Sequence, residues 1–309
     1  RRRLTGTGAP MADVHPQIAA LLPDELEELP ELGPAALAEL RGGYAQTARE
    51  LGGEAVPVAS VEDRQGPREG DPPVPVRIYR PTAPADPLGA IVWCHGGGWV
   101  VGDLDGIDHV ARELCEVSGR VVISVDYRLA PEHPFPAAVD DARLVLRWTC
   151  GDGGAGLGVD PRKVAIGGDS AGGQLAAQAA LREPGLARAQ LLVYPALDPR
   201  KATDSYREFA SGPVVTAPEM AAYWTAYGSG SPVEALELPS PEGAPPAWIA
   251  VAAHDPLRDD GLAYAAALRE AGVETHVAVY EDMTHSFLRW GGVVDRTHEL
   301  IAWLATAAR

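Results

Sequence analysis

Ser170 stands in the run Gly168-Asp169-Ser170-Ala171-Gly172, after the β-branched stretch Lys163–Gly167 and before the alanine-rich Gly173-Gln174-Leu175-Ala176-Ala177. A strand that turns this tightly into a helix strains the residue at its apex. Side chains two positions to either side would clash, and Gly168 and Gly172 remove them. The Ser170 hydroxyl is then presented at a helix N-terminus, where the helix dipole favours developing negative charge and the Ala171 N–H is free to donate. That is the setting of a nucleophile for acyl transfer. A glycine-rich turn with an N-capping serine would share these letters, but the strand before and the helix after favour the nucleophile.

A second glycine cluster supplies what such a nucleophile needs. The stretch Ala90-Ile91-Val92-Trp93-Cys94 ends in His95-Gly96-Gly97-Gly98-Trp99. Consecutive glycines let the backbone pass close to a ligand and aim its N–H groups at one point. A tetrahedral intermediate takes two or three such donors, which Ala171, Gly97 and Gly98 can provide. His95 then holds the loop in shape rather than moving protons. A phosphate-binding loop is the competing reading, but the run lacks the lysine and spacing of a P-loop, and no GxGxxG occurs.

The partners of an elbow serine follow in the chain order Ser, then Asp or Glu, then His, each on a loop after a strand. Trp248–Ala253 reads as a buried strand and leads to His254-Asp255-Pro256-Leu257, so Asp255 is the acid candidate. Thr275–Tyr280 leads to Glu281-Asp282-Met283-Thr284-His285, so His285 is the base. Asp259 and Asp260 fall in the first turn of the next helix, where acids stabilise the N-terminus anyway. His276 lies within a strand and His298 within a helix, positions for surface or packing residues; His254 is read as structural or site-lining. In this reading Asp255 fixes the tautomer of His285, which takes the Ser170 proton and returns it to the leaving group. No metal and no organic cofactor is required.

These residues need a scaffold, and the pattern from about Val74 onward provides one. Strands are expected at Val74–Arg80, Ala90–Cys94, Val121–Asp126, Lys163–Gly167, Ala189–Tyr194, Trp248–Ala253 and Thr275–Tyr280. Helices are expected at Ile107–Ser118, Ala137–Thr149, Ser170–Leu181, Asp259–Ala271 and Val294–Ala307. The alternation predicts an α/β fold with parallel βαβ units. Two segments break it: residues 1–51, helical with Pro-Asp-Glu and Gly-Pro breaks, and 199–241, inserted between strands. Together they read as a cap over the core of 52–198 and 242–309. Asp169 orients the elbow and is counted among the substrate-facing positions. Trp99, Tyr194, Phe209, Tyr223, Trp224, Leu257 and Phe287 are the further candidates for the pocket wall, and aromatic residues in a cap equally form its own core.

Composition narrows the classes. At 46% hydrophobic and 22% charged the chain has material for one large core, and no stretch approaches the ~20 apolar residues of a membrane span. The net charge of −17 disfavours nucleic acid and anionic membranes as partners. Lysine occurs only at Lys163 and Lys201, a bias that fits a GC-rich genome. Cys94, Cys115 and Cys150 are too few and too scattered for a disulfide framework or a zinc site, which points to a reducing cytoplasm. No apolar run follows Arg1-Arg2-Arg3, so no secretory signal is expected; Met11 is read as the native start.

The assembled segments resemble the hormone-sensitive lipase-like esterases, family IV of the bacterial lipolytic enzymes, in the α/β-hydrolase superfamily. The resemblance is carried by His95–Trp99, by Asp126-Tyr127-Arg128-Leu129-Ala130-Pro131-Glu132-His133-Pro134-Phe135-Pro136-Ala137, and by Gly168–Gly173. Asp255-Pro256-Leu257-Arg258-Asp259-Asp260-Gly261 and His285-Ser286-Phe287 complete it. It implies an eight-stranded, mostly parallel sheet with a small helical cap, and hydrolysis of short- to medium-chain esters. It further implies the triad Ser170, Asp255 and His285, with Gly97, Gly98 and Ala171 as the oxyanion hole. Ser286 departs from the family, which usually has glycine there, and His254 stands where glycine or an acid is commoner. The expected enzyme is a carboxylesterase acting on small esters, as a monomer or a homodimer built on an edge strand. The alternatives are an amidase or peptidase with the same triad, or a non-catalytic ligand receptor on the same fold.

Overall fold

The computed structural model describes residues 13–22, 32–67 and 73–307. The expectations for Arg1–Arg3, for Met11 and for the Pro-Asp-Glu break at Pro23–Glu25 lie outside the described residues. Eight strands form one sheet: β1 (Ser60–Gln65), β2 (Pro75–Arg80), β3 (Ala90–Cys94), β4 (Val121–Val125), β5 (Val164–Asp169), β6 (Gln190–Val193), β7 (Ala247–His254) and β8 (Thr275–Thr284). Their order is β1-β2-β4-β3-β5-β6-β7-β8; β2 runs antiparallel to both neighbours, and the six strands from β4 to β8 are mutually parallel.

The central strands β3 to β6 are buried at every position because both faces are covered. In β3, Ala90, Val92 and Cys94 join the cluster under α4 (Ala137–Cys150), α6 (Ala171–Arg182) and α10 (Arg258–Glu270). Ile91 and Trp93 point the other way, into the cluster built with α3 (Asp108–Ser118) and α11 (Arg296–Thr306). Each large side chain so buried contributes about 1.5–3 kcal/mol. The remaining described helices are α1 (Pro16–Ala19), α2 (Pro34–Leu51), α5 (Asp152–Leu157), α7 (Asp204–Glu208), α8 (Ala217–Tyr227) and α9 (Val233–Leu236). No described helix is long and apolar enough to cross a membrane.

The seven strands expected from the sequence are present, with ends shifted by a few residues. β1 was not expected. Its sequence, Ser-Val-Glu-Asp-Arg-Gln, is exposed at nearly every position, so it lacks the apolar alternation that marks a half-buried strand. It forms because β2 offers a free antiparallel edge along Pro75–Arg80. β8 continues four residues past Tyr280, with an irregularity opposite Ala252 and His254, and so delivers the chain to His285 without an intervening loop.

The two segments expected to form the cap bear on the sheet's C-terminal edge. Arg41 of α2 donates from Nε to Val100 O (2.9 Å) and pairs with Glu132 (2.8 Å). From the insertion, Trp224 and Tyr227 of α8 pack on Trp99, with ring centroids 4.3 and 4.5 Å away. α8 starts in a capping box, in which Glu219 N–H donates to the Thr216 hydroxyl and Thr216 N–H to the Glu219 carboxylate.

Two substitutions test the backbone reading. A Cβ at Gly172 would overlap the carbonyl oxygens of Cys94 and His95, which are backbone and cannot swing aside. Gly172→Ala is expected to cost about 2–3 kcal/mol, read as a lower midpoint in urea unfolding. Ser286 holds φ = 68°, a left-handed conformation that strains a side chain. Ser286→Gly is expected to stabilise the fold by about 1 kcal/mol, seen as a rise of a few degrees in Tm.

Candidate active site

β5 ends at Asp169 and α6 begins at Ala171, so Ser170 alone makes the turn, with φ = 55° and ψ = −119°. Three backbone bonds fix it: Ser170 N–H donates to Val193 O (2.8 Å), while Ser170 O accepts from Gln174 and Ala196 N–H (3.2 Å each). Gly168 is as crowded as Gly172, since a Cβ there would strike Cys94 O and the Gly172 carbonyl. The elbow is therefore pressed against the end of β3, and that contact sets it beside the glycine loop.

Ser170 Oγ lies 2.9 Å from His285 Nε2, and His285 Nδ1 lies 2.7 Å from Asp255 Oδ2. A carboxylate only accepts, so Nδ1 carries the ring hydrogen and Nε2 is left to accept that of the serine. Asp255 is fully buried, and its other oxygen accepts from Leu257 N–H (2.8 Å). Both carboxylate oxygens thus have donors, which offsets the cost of burying the charge. Tyr194, itself at φ = 34°, packs against the His285 ring at 4.6 Å and is backed by Phe287 at 5.8 Å.

The glycine loop is shaped from beneath. Gly97 and Gly98 both adopt positive φ (120° and 58°), and their N–H groups bond to no described residue. As the first residue of α6, Ala171 likewise has no intrahelical acceptor for its N–H. His95 Nδ1 lies 2.7 Å from Gly96 O, its ring stacks on Tyr127 at 4.3 Å, and the Tyr127 hydroxyl donates to His95 O (2.7 Å). Burial pushes the His95 pKa down to about 4, so the ring is neutral near pH 7. Asp169 Oδ1 accepts from Gly96 N–H at 3.0 Å and ties elbow to loop; burial pushes its carboxyl up, and the nearby Arg289 charge and that N–H oppose the shift.

A cavity of about 210 Å³ opens over these groups, lined by Gly97, Gly98, Asp169, Ser170, His285 and Ser286 from the core. Of the expected wall residues only Tyr223 and Asp169 line it. Trp99, Tyr194, Phe209, Trp224, Leu257 and Phe287 do not, because each is buried in the packing beneath. Trp99 is sandwiched by α8 and donates from Nε1 to Gln174 Oε1 (3.2 Å). Phe209 meets the His254 ring edge-on at 6.0 Å, away from the cavity. His276 stacks on Trp248 and His298 bonds Glu113, both apart from the site. Asp259 accepts from Ser205 N–H, and Asp260 from the N–H groups of Leu197 and Asp198, so this pair anchors the insertion to the core.

Several lining residues carry no local signal in sequence: Tyr44 and Thr47 of α2, Val214 and Val215, Glu219 and Met220 of α8, and Arg289 and Trp290 just after His285. The Thr216-x-x-Glu219 spacing is a readable helix start, but nothing in it says that Glu219 faces a cavity. Burial pushes the Glu219 carboxyl up, against the Thr216 N–H that stabilises its charged form.

The family described as alpha/beta hydrolase fold matches over residues 91–289. The chain is similar to the carboxylesterase NlhH of Mycobacterium tuberculosis, 39% identical over 260 residues that cover 80% of this chain and 81% of that one. It is also similar to the ethyl acetate hydrolase of Pseudomonas putida, 36% identical over 251 residues, or 76% and 77% of the two chains. Among solved structures, a hyperthermophilic esterase from the archaeon Pyrobaculum calidifontis superposes with a TM-score of 0.81 at 37% identity, covering 88% of this chain and 92% of that one. The chain belongs to the α/β-hydrolase fold family, within its hormone-sensitive lipase-like group.

Proposed function

We propose that this protein is a serine carboxylesterase that hydrolyses short- to medium-chain carboxylic esters through an acyl-enzyme on Ser170. The observation that carries the reading is the unbroken relay from Ser170 Oγ through His285 to Asp255, at 2.9 and 2.7 Å. Ser170 Oγ attacks the ester carbonyl carbon while its proton passes to His285 Nε2. The new oxyanion accepts hydrogen bonds from the N–H groups of Gly97, Gly98 and Ala171. Asp255 stabilises the imidazolium that has formed, and His285 then returns the proton to the departing alkoxide. A water deprotonated by His285 attacks the acyl carbonyl, and collapse releases the acid and restores Ser170.

The cavity of about 210 Å³ is small beside the roughly 300–1,000 Å³ of drug-sized ligand sites, which supports short chains over fatty ones. The charge of −17 supports a small-molecule substrate over a nucleic-acid partner, and the three unpaired cysteines fit a reducing cytoplasm. We further propose that it acts as a monomer or homodimer.

With p-nitrophenyl acetate, the wild type is expected to release p-nitrophenol in a burst followed by turnover. Ser170→Ala should abolish the burst and lower kcat by about four to six orders of magnitude; a folded wild type with no hydrolysis would instead mark a receptor. Across a p-nitrophenyl ester series, kcat/KM should be highest at about eight carbons or fewer and fall about a hundredfold by palmitate. A palmitate rate above the butyrate rate overturns the size argument.

A further inference from the structure

We infer that Arg289 is an anion-binding residue of the catalytic cavity, and that the preferred esters carry a carboxylate. The inference rests on the esterase reading and names the substrate class for it. Arg289 closes the short 3-10 helix Phe287–Arg289, four residues after His285, and is only 4% exposed. It lines the same cavity as Ser170 and His285.

Its guanidinium donates from Nη2 to Tyr44 O at 3.2 Å and lies over the Tyr44 ring 3.4 Å from the centroid, with the Tyr44 hydroxyl also interacting with it. No described carboxylate pairs with it directly; the Asp169 carboxylate is near enough to feel its charge but is held by Gly96 N–H. Arg77, elsewhere in the fold, shows the usual solution: its guanidinium pairs with Asp63, Asp105 and Asp108. A guanidinium is a permanent cation with five donors in a rigid fork, and a buried one is costly without a counter-charge. Here one side rests on an aromatic face, one donor meets a carbonyl, and the residue lines the cavity.

Two carboxylates also border the cavity, and both have other partners. Asp169 accepts from Gly96 N–H at 3.0 Å and Glu219 from Thr216 N–H at 2.7 Å. They oppose a bound anion, which favours a single negative charge over the double charge of a phosphate. A carboxylate fits that limit and matches the planar fork in shape. It can belong to the acid half, as in a half-ester of a short dicarboxylic acid, or to the alcohol half, as in the acetyl ester of a hydroxy acid.

Two substrate pairs separate these sources. For the acid half, p-nitrophenyl hydrogen adipate is compared with p-nitrophenyl methyl adipate; for the alcohol half, meta-acetoxybenzoate with meta-acetoxybenzamide, all corrected for spontaneous hydrolysis. In the wild type, the anionic member of one pair is expected to have a kcat/KM at least about tenfold higher than its neutral counterpart. Arg289→Gln should remove that ratio and Arg289→Lys restore part of it, with the pair that responds naming the half. An anionic-to-neutral ratio of one or less in both pairs, or a ratio unchanged in Arg289→Gln, overturns the inference. If Arg289→Gln does not fold, competitive inhibition of the wild type decides: benzoate should inhibit p-nitrophenyl butyrate hydrolysis more strongly than benzamide, and equal inhibition overturns it. Failure to hydrolyse even p-nitrophenyl butyrate would instead remove the esterase reading on which the inference stands.

Discussion

The contact between the N-terminal turn of α6 and the last carbonyls of β3 governs the site. Gly168 and Gly172 leave no room for a side chain against Cys94 O, and Gly172 is equally tight against His95 O. That approach sets the first turn of α6 beside the glycine loop, although the two come from positions some seventy residues apart, and it is what the proposed oxyanion hole of Gly97, Gly98 and Ala171 depends on. Asp169 reinforces it, since its carboxylate is held by Gly96 N–H across the same gap. Donors fixed in this way need no rearrangement when charge develops, which is the condition for electrostatic stabilisation of an oxyanion.

The acid and base of the proposed triad arrive by a different device. β7 and β8 are neighbours in the sheet, so residues just past their C-terminal ends are adjacent by construction. Asp255 follows the end of β7 and His285 follows the last residue of β8, and the pairing irregularity near His254 sets their relative reach. Tyr194 then presses on the imidazole from the end of β6. Its strained backbone and those of Ser170 and Ser286 cluster at the one place where geometry matters most. Ser286 keeps its side chain where glycine would relax the turn, so the expected gain in stability from Ser286→Gly measures strain held at the site.

Legibility followed the same division. Glycine spacing reports steric limits of the backbone, and those limits hold whatever the rest of the chain does; Gly96–Gly98 and Gly168–Gly172 were therefore readable one segment at a time. Strands buried on both faces were readable as apolar runs, whereas β1 was hidden because its pairing, not its sequence, makes it a strand. The pocket wall was mostly hidden. Trp99 and Trp224 are large and aromatic, as wall residues often are, but size is also what a core needs, and the two pack against each other at a tilt, 4.3 Å between centroids. Arg289 and Glu219 gave no local signal at all, since a charge looks the same in sequence whether it meets water or a cavity.

This split has a physical origin. The reaction needs only a few donors and acceptors held to fractions of an ångström, which short-range backbone constraints supply. Specificity needs shape and charge over the whole cavity, which here is assembled from α2, α8 and the turn after His285. Those three elements meet only through tertiary packing: Arg289 donates to the Tyr44 carbonyl and lies over its ring, while Tyr223 sits against Gly98, where a Cβ would strike its ring. The cap thus touches both the donor loop and the one buried cation of the described cavity. A change in how α2 or α8 packs would alter the presentation of Arg289 and the shape of the glycine loop together. In the proposed mechanism, substrate choice and oxyanion geometry are coupled through Tyr44 and Tyr223, two of the residues by which α2 and α8 reach into the site.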